Sequence, residues 1–275
     1  TSGMLLDTGK ANAASRVVAP YEITFPNGAN FHDSGHHNAH LTLAGVMVES
    51  SNVGLSKLAD RISPAVRYDY MTKYGLGTAT NVDFLGESDG ILRPWQKWDN
   101  QTHYTTMFGQ GFTATAVQMA SAYQAIANGG VRLPVTLIEG CTKANGDYVP
   151  AATGDPVKVI SPEAARGVVD MMENVATQGW LRKKLAIPGY RVAAKTGTAQ
   201  QSNGQGGYSH KYIVTIGGMV PANDPQYVIL TTIADADLNS TAAVAPVFHD
   251  LAVQVLKNYR IEPKTSGAPF LRLYY

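Results

Sequence analysis

Two β-branched, apolar runs, Tyr212 to Met219 and Tyr227 to Ile233, flank the turn signal Asn223-Asp224-Pro225 and predict neighbouring strands late in the chain. Arg191-Val192-Ala193-Ala194, leading into Lys195, adds a third run just upstream. Three strands in succession predict an antiparallel meander, and a closing helix over about Val244 to Leu256 is placed to cover one face. What precedes reads as helical. Leu55, Leu58, Ala59 and Ile62 recur at the spacing of one helix face. Further helices are predicted from Thr42 as N-cap through Val48, from Ser63-Pro64 to near Gly75, and from about Thr115 to Ala127, closed by Gly129-Gly130. Another starts with Ser161 as cap and Pro162 at the first helical position and runs through Val175. Pro20 to His40, rich in Pro, Gly, Asn and His, reads as a long irregular loop, and Val131 to Ile138 as a strand. The expected class is α+β: an antiparallel sheet backed by helices, an all-helical part, one main core, and no internal repeat or domain boundary.

The 275 residues, 44% of them hydrophobic, are ample for such a core. Twenty-two Lys and Arg against 21 Asp and Glu leave a charge of +1, which implies neither nucleic acid nor an anionic membrane surface as partner. Cys141 is the only cysteine, so an intrachain disulfide is excluded. No apolar run approaches the roughly 20 residues that span a bilayer. Charged residues make up only 16%, which leaves the surface to neutral polar groups and fits an exported protein. Thr1 to Gly9 reads as part of a helix running to a Gly stop, as if the chain were cut from a longer one.

Two short strings carry the chemistry. Lys195-Thr196-Gly197-Thr198 places one cation and two hydroxyls on a strand end, with a Gly that lets another backbone approach. Such an edge can hold a carboxylate, and the Thr198 N–H can point at a carbonyl oxygen as one arm of an oxyanion hole. The bland alternative is an exposed strand end. Ser50-Ser51-Asn52 offers a hydroxyl and an amide ahead of a helix; the bland alternative is that Asn52 simply N-caps it.

Glu49-Ser50-Ser51-Asn52-Val53-Gly54, Phe108-Gly109-Gln110-Gly111 with the helix to Gly130, and Gly189-Tyr190 through Lys195-Thr196-Gly197-Thr198-Ala199-Gln200 resemble the transpeptidase domain of class B penicillin-binding proteins in order and spacing. His210-Lys211-Tyr212-Ile213 fits the same pattern, and the Ser-Ser-Asn-Val-Gly form is similar to the septal, division-specific branch. The resemblance covers almost the whole chain. It implies a serine-type D,D-transpeptidase that cross-links peptidoglycan: a Ser attacks the D-alanyl-D-alanine carbonyl of a stem peptide, D-alanine leaves, and an amine of a neighbouring stem takes the acyl group. β-Lactams trap the first step. By similarity Ser50 joins the proton-transfer network between two lysines, Asn52 contacts a substrate amide, Lys195 adds positive charge, Thr196 and Thr198 bind the terminal carboxylate, and Gly197 permits close approach. A membrane anchor, an extracytoplasmic location, a septal glycosyltransferase and other division proteins as partners are implied in the same way. No cofactor or metal is implied.

The third family signature is absent, since no Ser in the chain has Lys three residues later. The resemblance places that nucleophile and its base a few residues before Thr1. Residues 1–275 are therefore expected to be the C-terminal portion of one transpeptidase domain, unable to form an acyl-enzyme alone. The alternatives are a catalytically inactive homologue that serves as a division-complex binding module or muropeptide sensor, and a β-lactamase or carboxypeptidase sharing the motifs. Ala116, where the family has Pro, and the insert-like Trp180 to Lys184 are the departures.

Other features read as structural. His32, His36, His37 and His40 with Asp33 form the one cluster that hints at metal, but Asp33-Ser34-Gly35 argues against the helix such a pair needs, leaving a polar or pH-responsive loop. Phe108 to Gly111 is a packing turn, Trp95 and Trp98 are core or rim anchors, and Asp235 and Asp237 face water.

Overall fold

The computed structural model of the protein describes residues 1–82, 84–202, 208–237 and 240–275. The chain opens with a short helix, α1 (Ser2–Asp7), then strands β1 (Arg16–Val18), β2 (Glu22–Thr24), β3 (Asn30–His32) and β4 (His40–Thr42). Helices α2 (Leu43–Glu49), α3 (Asn52–Ala59), α4 (Pro64–Lys73), α5 (Asn100–Thr105) and α6 (Ala116–Ala127) follow. Short strands β5 (Val131–Arg132), β6 (Gly140–Thr142), β7 (Tyr148–Pro150) and β8 (Val157–Lys158) lead to the long helix α7 (Pro162–Gln178) and to α8 (Arg182–Leu185). The chain then forms β9 (Ala193–Ser202), β10 (Tyr208–Val220) and β11 (Tyr227–Ala236), and closes its regular structure with α9 (Ala245–Asn258). No described helix is long and apolar enough to cross a membrane.

The three late strands form the expected antiparallel meander in the order β11-β10-β9, so β9 lies at an edge. Alternation sends successive β9 side chains to opposite faces. Ala193 joins the cluster built on the helical part, with Met219 and Ala222. Ala194 joins a second cluster in which Phe248, Ala252 and Leu256 of α9 pack on Val214, Ile216 and Ile229. The single core expected from sequence is thus two, with the sheet between them.

Helix α7 is the central support. Ser161 caps it and Pro162 starts it, as the sequence indicates. Ala165, Val168, Val169, Met171 and Met172 are buried, and the helix packs against α1, α2, α6 and β9. Its Glu173, 1% exposed, forms a two-pronged ion pair with Arg191, Oε1 to Nε and Oε2 to Nη2, both 2.7 Å.

The residues after α9 run back across this framework. Arg191 Nη1 donates to the Ser266 carbonyl, Asn174 and Gln178 of α7 bond the backbone at Pro269 and Leu271, and Thr42 Oγ1 donates to the Arg272 carbonyl at 2.6 Å. The tail presses so close to α2 that a Cβ on Gly45 would stand 2.0 Å from the Leu273 carbonyl oxygen.

Several sequence expectations are corrected. Pro20 to His40 is not all irregular: β2 and β3 pair as a hairpin whose Phe25 stacks on Tyr104, 3.8 Å between ring centres. The run from Val131 to Ile138 is a strand only at Val131–Arg132, since Pro134 offers no N–H to a ladder. Ile62 is buried although α3 ends at Ala59; a turn, with Ile62 N–H on the Ala59 carbonyl, brings it back to the core.

Two substitutions test this framework in urea unfolding of the 275-residue chain. Gly45→Ala forces α2 and the tail apart and is expected to cost about 1–3 kcal/mol. Glu173→Gln leaves a buried guanidinium without its counter-charge and is expected to cost about 3–5 kcal/mol.

Candidate active site

Helices α2 and α3 meet at the Ser50-Ser51-Asn52 turn. Ser50 ends α2 in the left-handed conformation, φ 57° and ψ 40°, which non-glycine residues adopt at a cost. Ser51, not Asn52, is the N-cap of α3: its Oγ accepts from the Gly54 N–H at 2.9 Å. This corrects the bland sequence reading and leaves the Asn52 side chain available for another task. Asn52 Nδ2 donates to the His32 carbonyl at 3.3 Å, which orients the amide while leaving a second N–H.

Beneath the turn lies a carboxylate from the His-rich segment, which its sequence marks only as a polar or pH-responsive loop with a hint of metal binding. Asp33, 1% exposed, accepts from Ser51 Oγ at 2.6 Å and from the Val53 N–H at 3.0 Å, and its Oδ2 lies 2.7 Å from His37 Nε2. Nothing in the spacing links Asp33 to Ser51, so sequence carried no signal for it.

The other wall is β9. Lys195 shares the face of Ala193, toward the helical part, and its Nζ donates to Ser50 Oγ at 2.7 Å and to the Thr196 carbonyl at 2.9 Å. Residues 145 apart in sequence are thereby joined across the two halves of the fold. Burial pushes the Lys195 amine down to about 8. An amine tuned to that value both gives and takes a proton near neutral pH, and the Ser50 hydroxyl, accepting from it, has its own proton to donate outward.

Thr196, Gly197 and Thr198 pair with Ile216, Thr215 and Val214 of β10, and among the described residues no strand pairs with the outer edge of β9. Among the described residues, a Cβ on Gly197 would meet nothing within 4 Å, which leaves the space beside it open to a ligand. The structure therefore brings together Ser50, Asn52 and Lys195, with Thr196 to Thr198 continuing the same strand.

The penicillin-binding protein transpeptidase domain model matches residues 1–252. The chain belongs to that family. It is 34% identical to penicillin-binding protein PbpB of Mycolicibacterium smegmatis over 286 residues, 99% of this chain and 44% of that protein. It is 36% identical to peptidoglycan D,D-transpeptidase FtsI of Escherichia coli over 247 residues, 89% of this chain and 40% of that protein. The chain thus spans less than half the length of these relatives. Its fold superposes on crystal structures of penicillin-binding protein 3 from Mycobacterium tuberculosis, with a TM-score of 0.89 on the apo form and 0.91 on the ampicillin complex. Both are 31% identical, and each match covers all of this chain and 63% of the other.

In this transpeptidase domain the features set aside from sequence are structural. Both ring nitrogens of His37 are engaged, by Asp33 and by the Asn38 carbonyl, so it is not an open metal ligand. Phe108 packs on Phe31, and Arg67 lies over the Trp98 ring. Asp237 is exposed and pairs with Lys211. Ala116 in place of Pro leaves α6 well started, because Thr115 and Gln118 form a capping box. The segment at Trp180 contributes buried Leu181 and Leu185.

The Lys195 amine is expected to titrate near 8 in 15N NMR of the lysine side chains, apart from the exposed lysines. Ser50→Ala removes an acceptor from the cation and lowers that value further. Ser50→Gly relieves the left-handed backbone and is expected to unfold about 1 kcal/mol later than Ser50→Ala in urea.

Proposed function

We propose that this chain is the greater part of the catalytic domain of a serine-type peptidoglycan D,D-transpeptidase, and that its cleft between Ser50 and Lys195 carries proton transfer and substrate positioning. The 2.7 Å contact between Lys195 Nζ and Ser50 Oγ carries the reading. The stem peptide ending in D-alanyl-D-alanine lies along the open edge of β9. Thr196 and Thr198 hold its terminal carboxylate beside Lys195, Gly197 leaves room for its backbone, and the second Asn52 N–H donates to a substrate carbonyl.

When the nucleophilic Ser attacks, its hydroxyl proton passes to the Lys of its own Ser-x-x-Lys segment, the C–N bond to D-alanine breaks, and the leaving amine needs a proton. Ser50 supplies it from its hydroxyl and is refilled from the Lys195 ammonium. The acyl group stays on the nucleophile until the amine of a second stem attacks, and the proton returns by the same route. The nucleophile and its Lys are assigned to a Ser-x-x-Lys segment outside these 275 residues, because none occurs within them and the chain spans less than half the length of its relatives. A β-lactam takes the place of the stem peptide, in keeping with the ampicillin and aztreonam complexes of the mycobacterial protein. By similarity to PbpB and FtsI, the setting is septal wall synthesis at the outer face of a bacterial membrane, with an anchor and division partners engaged by other parts of the protein.

Fluorescent penicillin tests this reading on the full-length gene product. Covalent labelling is expected there and not in residues 1–275 alone; labelling of the 275-residue chain would overturn the placement of the nucleophile. Lys195→Ala in the full-length protein is expected to slow acylation by about 10²–10⁴-fold. Gly197→Val is expected to change stability by less than about 0.5 kcal/mol, since its side chain meets open space, while still slowing acylation.

A further inference from the structure

His37 touches neither Ser50 nor Lys195, yet it stands behind the turn that presents them to each other. Its Nδ1 lies 2.9 Å from the Asn38 carbonyl oxygen and its Nε2 lies 2.7 Å from Asp33 Oδ2. A carbonyl oxygen only accepts. Asp33 in turn receives Ser51 Oγ–H on that same Oδ2 and the Val53 N–H on Oδ1, so its oxygens are already occupied as acceptors. With an acceptor at each ring nitrogen, both must carry hydrogen, which makes the ring an imidazolium. The pair is buried, at 5% and 2% side-chain exposure, where a carboxylate without a counter-charge is costly.

We propose that His37 is a positioning residue: its imidazolium holds Asp33 as a buried carboxylate, and Asp33 fixes Ser51 and Val53 so that the turn presents Ser50 to Lys195 and sets the Asn52 amide. The chain of contacts is short. Ser51 caps α3, so whatever anchors Ser51 fixes how the backbone leaves Ser50 and where Asn52 begins the helix.

This makes the turn sensitive to pH. Burial alone pushes the His37 ring down, but the Asn38 carbonyl, Asp33 and Glu49 outweigh it and hold the ring above its ordinary 6.5. The charged groups facing it are Asp33 on its own loop and Glu49 at the end of α2, itself bonded to the Tyr274 hydroxyl from the tail. His36, on the same loop, and His32, at the end of β3, stack on Tyr21, and Lys195 reaches the turn from β9 through Ser50. Because the folded value is raised, the stabilisation is full below 6.5 and is lost as pH rises through the folded value.

Its bearing on acyl transfer rests on the reading proposed above, but the positioning is tested without activity. In residues 1–275, 15N NMR is expected to show both His37 ring nitrogens protonated at pH 6. Amide-exchange protection at Val53 and Gly54, corrected for intrinsic rates, is expected to fall about tenfold for each pKa unit of the His37 shift as that ring deprotonates. Amides of α7 serve as the unaffected reference. His37→Gln keeps a donor but no charge, and is expected to give the high-pH protection at every pH. A neutral His37 at pH 6, or flat protection at Val53 and Gly54 across the wild-type titration, overturns the proposal even if the variant does not fold. If exchange behaves as expected while the full-length protein takes no penicillin, the acyl-transfer reading fails and the positioning stands.

Discussion

The ion pair between Glu173 and Arg191 holds the central helix to the stem of the strand that carries Lys195. Only three residues, Val192 to Ala194, separate Arg191 from Lys195, so a shift of the pair is passed to the amine along a backbone with little slack. The two prongs fix direction as well as distance, since a guanidinium meets a carboxylate in one plane. Arg191 spends a further donor on the Ser266 carbonyl, so the same side chain also locates the start of the returning tail. Helix, strand and tail meet at one planar group, and the cleft inherits their alignment.

From that anchor the two walls of the cleft are built on different principles. The β9 wall is a ladder: its register with β10 fixes every residue from Lys195 to Thr198 relative to the sheet. The opposite wall is a junction between two short helices, where a left-handed Ser50 is followed by the cap of α3. Such a junction has no ladder to stiffen it and depends on side chains instead. Asp33 below and Lys195 above supply what the backbone cannot, one through Ser51 and the other through Ser50.

Local signals reached as far as elements and motifs. Ser161 and Pro162 announce α7, Thr115 announces α6, and the β-branched runs announce β10 and β11, because caps, proline and period-two patterning act within a few residues of where they are written. Lys195 and the Ser50 turn were legible as strings, and their order along the chain carried the family resemblance. Asp33 was not, since its meaning lies in Ser51, Val53 and His37 meeting it in space, and a His-rich loop suggests other chemistry. The β2–β3 hairpin was hidden for a similar reason: its strands are three residues each and owe their existence to Phe25 and Phe31 finding Tyr104 and Phe108 from a distant helix and turn. Residues 261–275 have no periodicity to read, and their role is set by the carbonyls they offer to Asn174, Gln178, Arg191 and Thr42.

That tail has a kinetic consequence. The hydroxyl of Thr42 meets the Arg272 carbonyl across 230 residues of sequence, and this contact fastens the helix that ends at Ser50. Closing so long a loop is slow beside the formation of local helices. The helical framework can gather while the chain emerges from the ribosome, but the α2 end of the cleft waits for residues near 272.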